Sequence, residues 1–134
     1  MEPGEYVDAE GRVMGRHQGY ANYTIGQRKG LGIATGTPQF VTRVDAEHNR
    51  VVLGAHDDLY IYDVRAREGF FRGDASRPVM AQIRYRSQAS AAQVCDYDDT
   101  SFALRFEAPV WAVTPGQSTV IYQDDLLVGG GIIE

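Results

Sequence analysis

The segment NYTIGQRKGLGI at residues 22–33 combines the residue types that phosphate binding requires. Gly26, Gly30 and Gly32 have no Cβ atom, so their backbone can adopt positive φ and approach a ligand closely. The side-chain donors beside these glycines are Gln27, Arg28 and Lys29. Backbone N–H groups next to cations favour phosphate contacts, although the spacing is not that of a Walker A loop. Two interpretations stay open: a phosphate contact, or a tight turn whose cations face water.

Arg84 and Arg86, in the segment RYRSQ, form a second candidate contact for phosphate groups. They lie on the same face of a predicted strand, about 7 Å apart. Two cations at that spacing can follow a chain of phosphates. A solvated strand face explains the same pair equally well.

The glycines at residues 129–131 interrupt an apolar strand pattern near the end of the chain. Glycine weakens a strand interior, so such a run indicates a bulge or a close approach of another backbone. The close neighbour is either an adjacent strand, as in barrel closure, or a ligand lying over bare backbone. Both readings remain open.

Histidine and cysteine occur singly and without catalytic partners. His17, in GRHQGY, has no carboxylate or nucleophile nearby in the sequence, so a hydrogen-bonded structural role or an RNA contact is favoured over catalysis. Cys95 is followed by Asp96, and acidic neighbours oppose the thiolate form that a nucleophile needs. We therefore predict a packing role for Cys95 and assign no catalytic residue. His48 and His56 are expected in a turn and a linker, in contact with water. No spacing suits a metal site.

The elements that position these residues are predicted to be short β-strands. Apolar and polar residues alternate with a period of two, and turn-forming residues separate the runs. Residues 6–14 and 40–53 each resemble a β-hairpin. Strands are also predicted around residues 79–86, 102–106 and 119–122. Pro115 and Gly116 fit the two central positions of a type II turn.

This pattern predicts an all-β fold, with a barrel favoured over a sandwich because closure removes exposed strand edges. The single helical candidate is residues 18–25, ended by Gly26 as a left-handed cap. The polar segment around residues 54–58 suggests a domain boundary. We place a small β-rich domain at residues 1–57 and a β-barrel at residues 58–134.

Composition limits the classes of function. The chain has 134 residues, a formal net charge of -5 and a pI of about 5.1, so any grip on nucleic acid must come from a local patch. A single cysteine excludes an internal disulfide and fits a reducing compartment. No signal peptide or membrane-spanning run is visible in the sequence. These features predict a cytoplasmic protein that does not contact membranes.

Four segments together resemble one known family. In chain order they are GRHQGYANYTIGQRKGLGI, RYRSQ, AVTPGQSTVIY and GGGIIE, and they resemble the C-terminal portion of the tRNA-specific 2-thiouridylases. An older label for this family is tRNA (5-methylaminomethyl-2-thiouridylate)-methyltransferase. The resemblance covers essentially the whole chain. It implies a small β-rich central domain followed by a β-barrel akin to the second domain of translation elongation factors.

The resemblance also implies where the chemistry is done. The family places sulfur on C2 of the wobble uridine of certain tRNAs, using ATP to adenylate the base and a cysteine persulfide as sulfur donor. The ATP-pyrophosphatase loop is absent here, and Cys95 matches neither of the family's catalytic cysteines. We therefore expect a fragment that holds no cofactor and is inactive alone. Its expected partners are tRNA, the N-terminal ATP-pyrophosphatase domain and, for the parent enzyme, a sulfur-relay protein.

By position, the resemblance assigns RNA binding to residues in both predicted domains. In the first domain they are His17, Gln18, Tyr23, Thr24, Gln27, Arg28, Lys29 and Gly30. In the barrel they are Arg84, Arg86 and Gln117. The resulting hypothesis is a tRNA-recognition region of a wobble-uridine 2-thiolation enzyme. The alternative is a scaffold barrel that packs on the catalytic domain, and a free-standing small-molecule barrel is disfavoured because no convergent polar pocket is visible.

Overall fold

The computed structural model describes residues 2–33, 36–84 and 87–134. It consists almost entirely of β-strands, which confirms the predicted all-β class. The chain forms two compact units, Met1–Tyr60 and Ile61–Glu134. In the described residues no helix is long and apolar enough to span a bilayer.

The first unit is built on a four-stranded sheet with the order β2-β1-β4-β3. Its strands are β1 (Gly4–Val7), β2 (Val13–His17), β3 (Phe40–Asp45) and β4 (Arg50–Gly54). Antiparallel pairing of β1 with β2 and of β3 with β4 confirms both predicted hairpins. The parallel pairing of β1 with β4 joins the hairpins into one sheet, and no local pattern in the sequence predicted it.

The second unit is a closed six-stranded barrel with the order β10-β5-β8-β7-β6-β9. Its strands are β5 (Tyr60–Phe71), β6 (Val79–Gln82), β7 (Ser90–Tyr97), β8 (Phe102–Trp111), β9 (Ser118–Gln123) and β10 (Leu126–Ile133). Alternate residues of β8 fill its core: Phe102, Leu104 and Phe106 are buried. The barrel therefore follows the period-two pattern of the sequence.

The predicted helix at residues 18–25 is wrong. The structure has only a short 3₁₀ turn at Tyr20–Asn22. Gly19, before the turn, has φ 134 and donates its N–H to Nδ1 of His17 at 2.9 Å. Tyr23, after it, is already extended with φ -120 and ψ 144. Both flanking residues thus take non-helical conformations, and a second turn cannot form. Gly26 has a positive φ of 90, as the sequence predicted.

The strand predicted at residues 79–86 ends early, at Gln82. Ser87 closes a turn onto the carbonyl oxygen of Arg84 through its backbone N–H at 3.1 Å and its hydroxyl at 2.9 Å. The Gln82 side-chain amide donates to the Ser87 carbonyl at 2.9 Å. Arg84 lies two residues beyond the end of β6, so it does not lie on a strand. Arg86 lies outside the described residues, so the predicted pairing of the two cations stays a prediction.

The turns agree with the local chemistry of the sequence. Gly116 has φ 91, and the Gln117 N–H donates to the Thr114 carbonyl at 3.3 Å, which confirms the type II turn after Pro115. Asp124 and Asp125, between β9 and β10, have φ 51 and φ 65. Two positive φ values in a two-residue loop define a type I′ hairpin turn, whose twist matches the flanking strands.

The glycine run at residues 129–131 is explained by barrel closure. A Cβ atom at Gly129 would lie 2.8 Å from the Phe70 carbonyl oxygen, and one at Gly131 would lie 2.9 Å from that of Arg67. Both clashes are with the backbone of β5, to which β10 pairs. Of the two interpretations left open by the sequence, the close neighbour is therefore a strand.

The packing role predicted for Cys95 is wrong, since its side chain is exposed. The register of β7 against β8 shifts between Val94, which faces Leu104, and Asp96, which faces Ala103. Cys95 is the extra residue of this bulge. Cys95 follows the buried Val94 and therefore points away from the core.

The β9–β10 turn carries an ion pair that predicts acid sensitivity. Arg77 Nη2 donates to both carboxylate oxygens of Asp124, at 2.8 and 2.9 Å. These hydrogen bonds, and then the charge of Arg77, lower the pKa of Asp124. A carboxyl group whose pKa is lower in the folded than in the unfolded state adds stability above the unfolded value, and this stability is lost as the pH falls through the folded value.

We expect Asp124→Asn to lower the free energy of unfolding slightly near neutral pH, and the difference from wild type to vanish once the pH falls below the lowered pKa of Asp124. Asparagine tolerates positive φ, so the turn itself is kept. Denaturant titrations across this pH range measure the effect. Asp125→Asn, in the same turn but outside the described ion pairs, is the control. A difference that persists unchanged in acid would contradict the prediction.

Candidate nucleic-acid interface

The glycine-rich segment is held against the edge of the first unit's sheet. The Gly26 N–H donates to the Val41 carbonyl at 2.7 Å, and the Val41 N–H donates back to the Gln27 carbonyl at 2.9 Å. Further along, the Tyr6 hydroxyl donates to the Leu31 carbonyl at 2.6 Å. The segment therefore covers the β3 edge and is fixed at both ends. We call residues 26–32 the cationic loop.

Tyr6 supports this loop from within the core. Its side chain is fully buried and contacts the rings of His17 and Tyr23 edge to face, each with centroids 5.5 Å apart. Burial, and then the Tyr23 hydroxyl, raise the pKa of Tyr6 above its ordinary value. The phenol thus stays neutral up to alkaline pH and keeps donating to Leu31. The aromatic trio forms a rigid base under the loop.

His17 is only 1% exposed and has a structural position. Its Nδ1 accepts the Gly19 N–H at 2.9 Å, so the ring proton must reside on Nε2, which lies 3.1 Å from the Asn49 carbonyl. Both nitrogens therefore have partners inside the protein. Of the two roles the sequence left open, the geometry supports the structural one, and the RNA contact of His17 stays a prediction.

Gln27 braces the loop internally. Its side-chain oxygen accepts the Thr24 N–H at 3.1 Å, and its side-chain nitrogen donates to the Lys29 carbonyl at 2.9 Å. The RNA contact predicted for this side chain therefore competes with bonds that shape the loop. Gln27 serves to hold the following two cations in place.

Arg28 and Lys29 are exposed at the tip of this braced loop. The glycines that follow, Gly30 and Gly32, have φ 75 and φ 71, as the sequence predicted. Among the described residues, no carboxylate pairs with either cation. Six of the other arginines do make ion pairs with acidic neighbours: Arg12, Arg43, Arg65, Arg67, Arg77 and Arg105. The loop thus presents positive charge available to an external anion.

Two grooves border the cationic loop, and Arg28 lines both. The first, of about 410 Å³, lies over the loop backbone at Gly30 and Gly32. The second, of about 570 Å³, is lined on its other side by Phe40 and His56. We call them the loop groove and the aromatic groove. Residues 37–39 also line both grooves. The two grooves are therefore adjacent, and the Arg28 side chain can reach a ligand in either one.

The remaining predicted residues fall into two groups. Gln18 and Thr24 are exposed in the first unit, while Tyr23 is half-buried with its ring centroid 5.4 Å from that of His17. Gln117 is exposed in the barrel, in the turn closed onto Thr114. The structure thus places Tyr23 against Tyr6 and His17, and Thr24 against Gln27 of the cationic loop. Their roles in RNA binding stay predictions.

The Arg84 side chain makes hydrogen bonds within the barrel unit. Its Nη2 donates to the carbonyl oxygens of Trp111 and of Ala112, the latter at 2.7 Å, and its guanidinium lies 5.8 Å from the centroid of the Trp111 ring. Ala112, directly after β8, has a positive φ of 53, so the backbone leaves the strand conformation here. Arg84 thus satisfies two carbonyl groups where β8 ends.

We expect Arg84→Gln to lower the free energy of unfolding of the barrel by about 2 kcal/mol, because two charge-assisted hydrogen bonds are lost. RNA affinity should stay unchanged. Denaturation followed by Trp111 fluorescence measures the first effect and filter binding the second. Arg72→Gln is the control. Like Arg84, Arg72 has its guanidinium near an aromatic ring, that of Phe70 at 5.1 Å, so this change removes the same kind of ring contact. Weaker RNA binding without loss of stability would restore Arg84 as a phosphate contact.

An aromatic cluster in the first unit was missed by sequence reasoning. The ring of His56 lies 5.4 Å from that of Phe40 and 5.7 Å from that of Tyr60, both edge to face. The sequence placed His56 in a solvated linker. Phe40 faces Gly54 across the β3–β4 hairpin, which brings residues distant in sequence into contact. In the sequence, only the predicted hairpin at residues 40–53 indicated that Phe40 would lie near the residues around Gly54.

Both units match described domain families. Residues 1–55 match the family described as tRNA methyl transferase PRC-barrel domain. Residues 60–133 match the family described as Aminomethyltransferase beta-barrel domain. Fold and matches together define the class: a PRC-barrel-type unit followed by an aminomethyltransferase-type β-barrel.

Similar curated proteins share one name. The chain is 46% identical to the tRNA-specific 2-thiouridylase MnmA of Lachnoclostridium phytofermentans, with 98% of the chain and 38% of that protein covered. It is 43% identical to the protein of the same name from Acetivibrio thermocellus, with 100% of the chain and 38% of that protein covered. The chain belongs to the family of tRNA-specific 2-thiouridylases. It spans about 38% of the length of these relatives.

Proposed function

We propose that this chain is a tRNA-recognition region of a wobble-uridine 2-thiolation enzyme. The observation that carries the proposal is the cationic loop, where Arg28 and Lys29 are exposed and have no carboxylate partner among the described residues. Phosphate groups bind where backbone N–H groups and cations converge. The relatives' name specifies tRNA as what those proteins act on.

In this proposal the loop positions RNA by its backbone and does not read its sequence. Contacts to phosphate fix register and orientation, whereas sequence is read from base edges. The bracing by Gln27 and the anchor from Tyr6 reduce the ordering cost that a flexible loop would meet on binding. The net charge of -5 opposes RNA overall, so the expected affinity is modest.

Adenylation and sulfur transfer are proposed to take place outside these residues. The cationic loop lacks the order of glycine, lysine and hydroxyl residues that cradles a nucleotide triphosphate. Cys95, which is exposed on a bulge beside Asp96, matches by resemblance neither of the family's catalytic cysteines. The cationic loop does not fit ATP, and Cys95 does not fit a persulfide. We therefore assign ATP binding and the persulfide to the rest of the parent enzyme. Its proposed partners are the ATP-pyrophosphatase domain and a sulfur-relay protein, in the cytoplasm.

The direct test is a titration of the 134-residue chain with tRNA at several salt concentrations. We expect measurable binding at low ionic strength and a logarithm of the association constant that falls linearly with the logarithm of the salt concentration. Two phosphate contacts predict a slope of about -2. Binding that is absent at low salt, or independent of salt, would refute the proposal.

A second candidate function, a scaffold that packs on the catalytic domain, is favoured by one surface of the barrel. Met80 and Leu127 both pair with Tyr122, so the three form a row across β6, β9 and β10. Met80 is 43% and Leu127 56% exposed. An exposed apolar row is typical of a protein contact. In the complete enzyme, Leu127→Asp should then weaken packing on the catalytic domain while leaving RNA affinity unchanged.

A further inference from the structure

The aromatic groove is lined by Phe40 and His56, two members of a ring cluster that the loop contacts alone do not explain. His56 is centred in it, with Phe40 at 5.4 Å and Tyr60 at 5.7 Å between ring centroids. The side chain of His56 is 49% exposed and Tyr60 is 45% exposed, so much of their ring surface faces the outside. Edge-to-face contacts hold the rings in fixed relative orientations. The cluster is thus a preformed aromatic surface.

The position of Arg28 connects this surface to the cationic loop. Arg28 lines the aromatic groove together with Phe40 and His56, and it also lines the loop groove. A guanidinium between two grooves can hold one phosphate while the groups on either side of that phosphate enter different grooves. The aromatic groove, at about 570 Å³, has the size of a small-molecule site, roughly 300–1,000 Å³.

We propose that the aromatic groove takes one unpaired nucleobase of the RNA, stacked on the ring of His56, which Tyr60 contacts edge to face, with the adjoining phosphate on Arg28. The inference rests on the proposed function and deepens it: the RNA recognised here is single-stranded at this point. Base stacking on aromatic side chains is tolerant of sequence and is the usual way in which proteins hold unpaired nucleotides. A base inside a helix cannot reach such a surface because its faces are already stacked.

Charge favours a nucleotide over an apolar peptide in this groove. An apolar peptide would bury Arg28 without a partner, which is costly for a charged group. A nucleotide supplies both the flat ring for the cluster and the anion for the guanidinium. Both needs are met by one ligand.

The test compares two RNAs of equal length and charge: a hairpin whose unpaired loop carries one 2-aminopurine, and a fully paired duplex. For the 134-residue chain we expect quenching of the 2-aminopurine on binding. His56→Gln keeps a polar side chain but removes the ring, and should weaken hairpin binding about tenfold, reduce the quenching and leave duplex binding unchanged. Tyr60→Leu should act in the same direction.

The matched control is His48→Gln. His48 is also exposed and lies 2.9 Å from a carboxylate oxygen of Asp45, as His56 does from Asp57, but it contacts no ring among the described residues. Thermal unfolding verifies that each variant is folded. If wild type binds both RNAs in a salt-dependent way while His56→Gln and Tyr60→Leu leave hairpin affinity and quenching unchanged, the stacking site is refuted and the proposed function stands. If wild type binds neither RNA, both fail.

Discussion

Reversing the two loop cations, with Arg28→Glu and Lys29→Glu together, is expected to weaken tRNA binding about a hundredfold. Each cation is exposed and has no described carboxylate partner, so its charge is available to RNA. The reversal removes two phosphate contacts and adds two repulsive charges. The slope of the salt dependence should therefore fall in magnitude by about 2.

The fold should survive this change because both side chains lie on the surface and the loop's hydrogen bonds come from Gln27, Val41 and Tyr6. Circular dichroism and thermal unfolding test that point. In the complete parent enzyme, ATP turnover should persist while tRNA affinity is lost. Misfolding of the whole enzyme would instead favour the scaffold interpretation.

A control for net charge is the double change Arg12→Glu and Arg43→Glu. These side chains are exposed in the same unit but already face carboxylates, Asp8 at 3.2 Å and Asp45 at 3.4 Å. We expect a much smaller loss of RNA affinity than for the loop variant. Equal losses would show that RNA responds to overall charge and not to the loop.

Substituting Gly69 by alanine is expected to destabilise the barrel by about 3 kcal/mol. A Cβ atom at this position would lie 1.9 Å from the Gly130 carbonyl oxygen and 2.6 Å from the Gly131 Cα atom. Both are backbone atoms of β10, which pairs with β5 to close the barrel. Because no flexible side chain can move aside, the two strands must separate.

Trp111 is the only tryptophan of the chain and lies on β8, so its fluorescence during denaturation reports on the barrel. Gly116→Ala is the control: its φ of 91 disfavours a side chain, but nothing lies within 4 Å of the added Cβ. We expect a cost of about 1 kcal/mol there. Equal costs at the two positions would show that steric closure does not control barrel stability.

A sequence pattern does not determine which of two arginines stays exposed and which is bound within the protein. Arg28 and Arg84 were both proposed from the sequence as phosphate contacts, and their residue type is the same. The structure leaves Arg28 exposed but uses Arg84 to satisfy the carbonyls of Trp111 and Ala112. The partners of Arg84 are 27 and 28 residues away in sequence. Alternation along one strand contains no information about such partners.

Cys95 and His17 illustrate the same limit. A packing role was predicted for Cys95 from its acidic neighbours, but its side chain is exposed next to the buried Val94. His17 was assigned by resemblance to RNA contact, yet its burial among Tyr6 and Tyr23 gives it a structural position. In both cases the residue type was compatible with either outcome, and the neighbours decided.

The sequence alone determined the all-β class, both hairpins of the first unit, the turn at Pro115–Gly116 and the family. Each depends on chemistry within a few residues or on ordered segments that resemble known proteins. The tertiary structure alone decided the parallel pairing of β1 with β4, the availability of the loop cations and the assembly of the Phe40, His56 and Tyr60 cluster. These features depend on contacts between residues far apart in the chain, and such contacts are fixed only when the strands pair and the core packs.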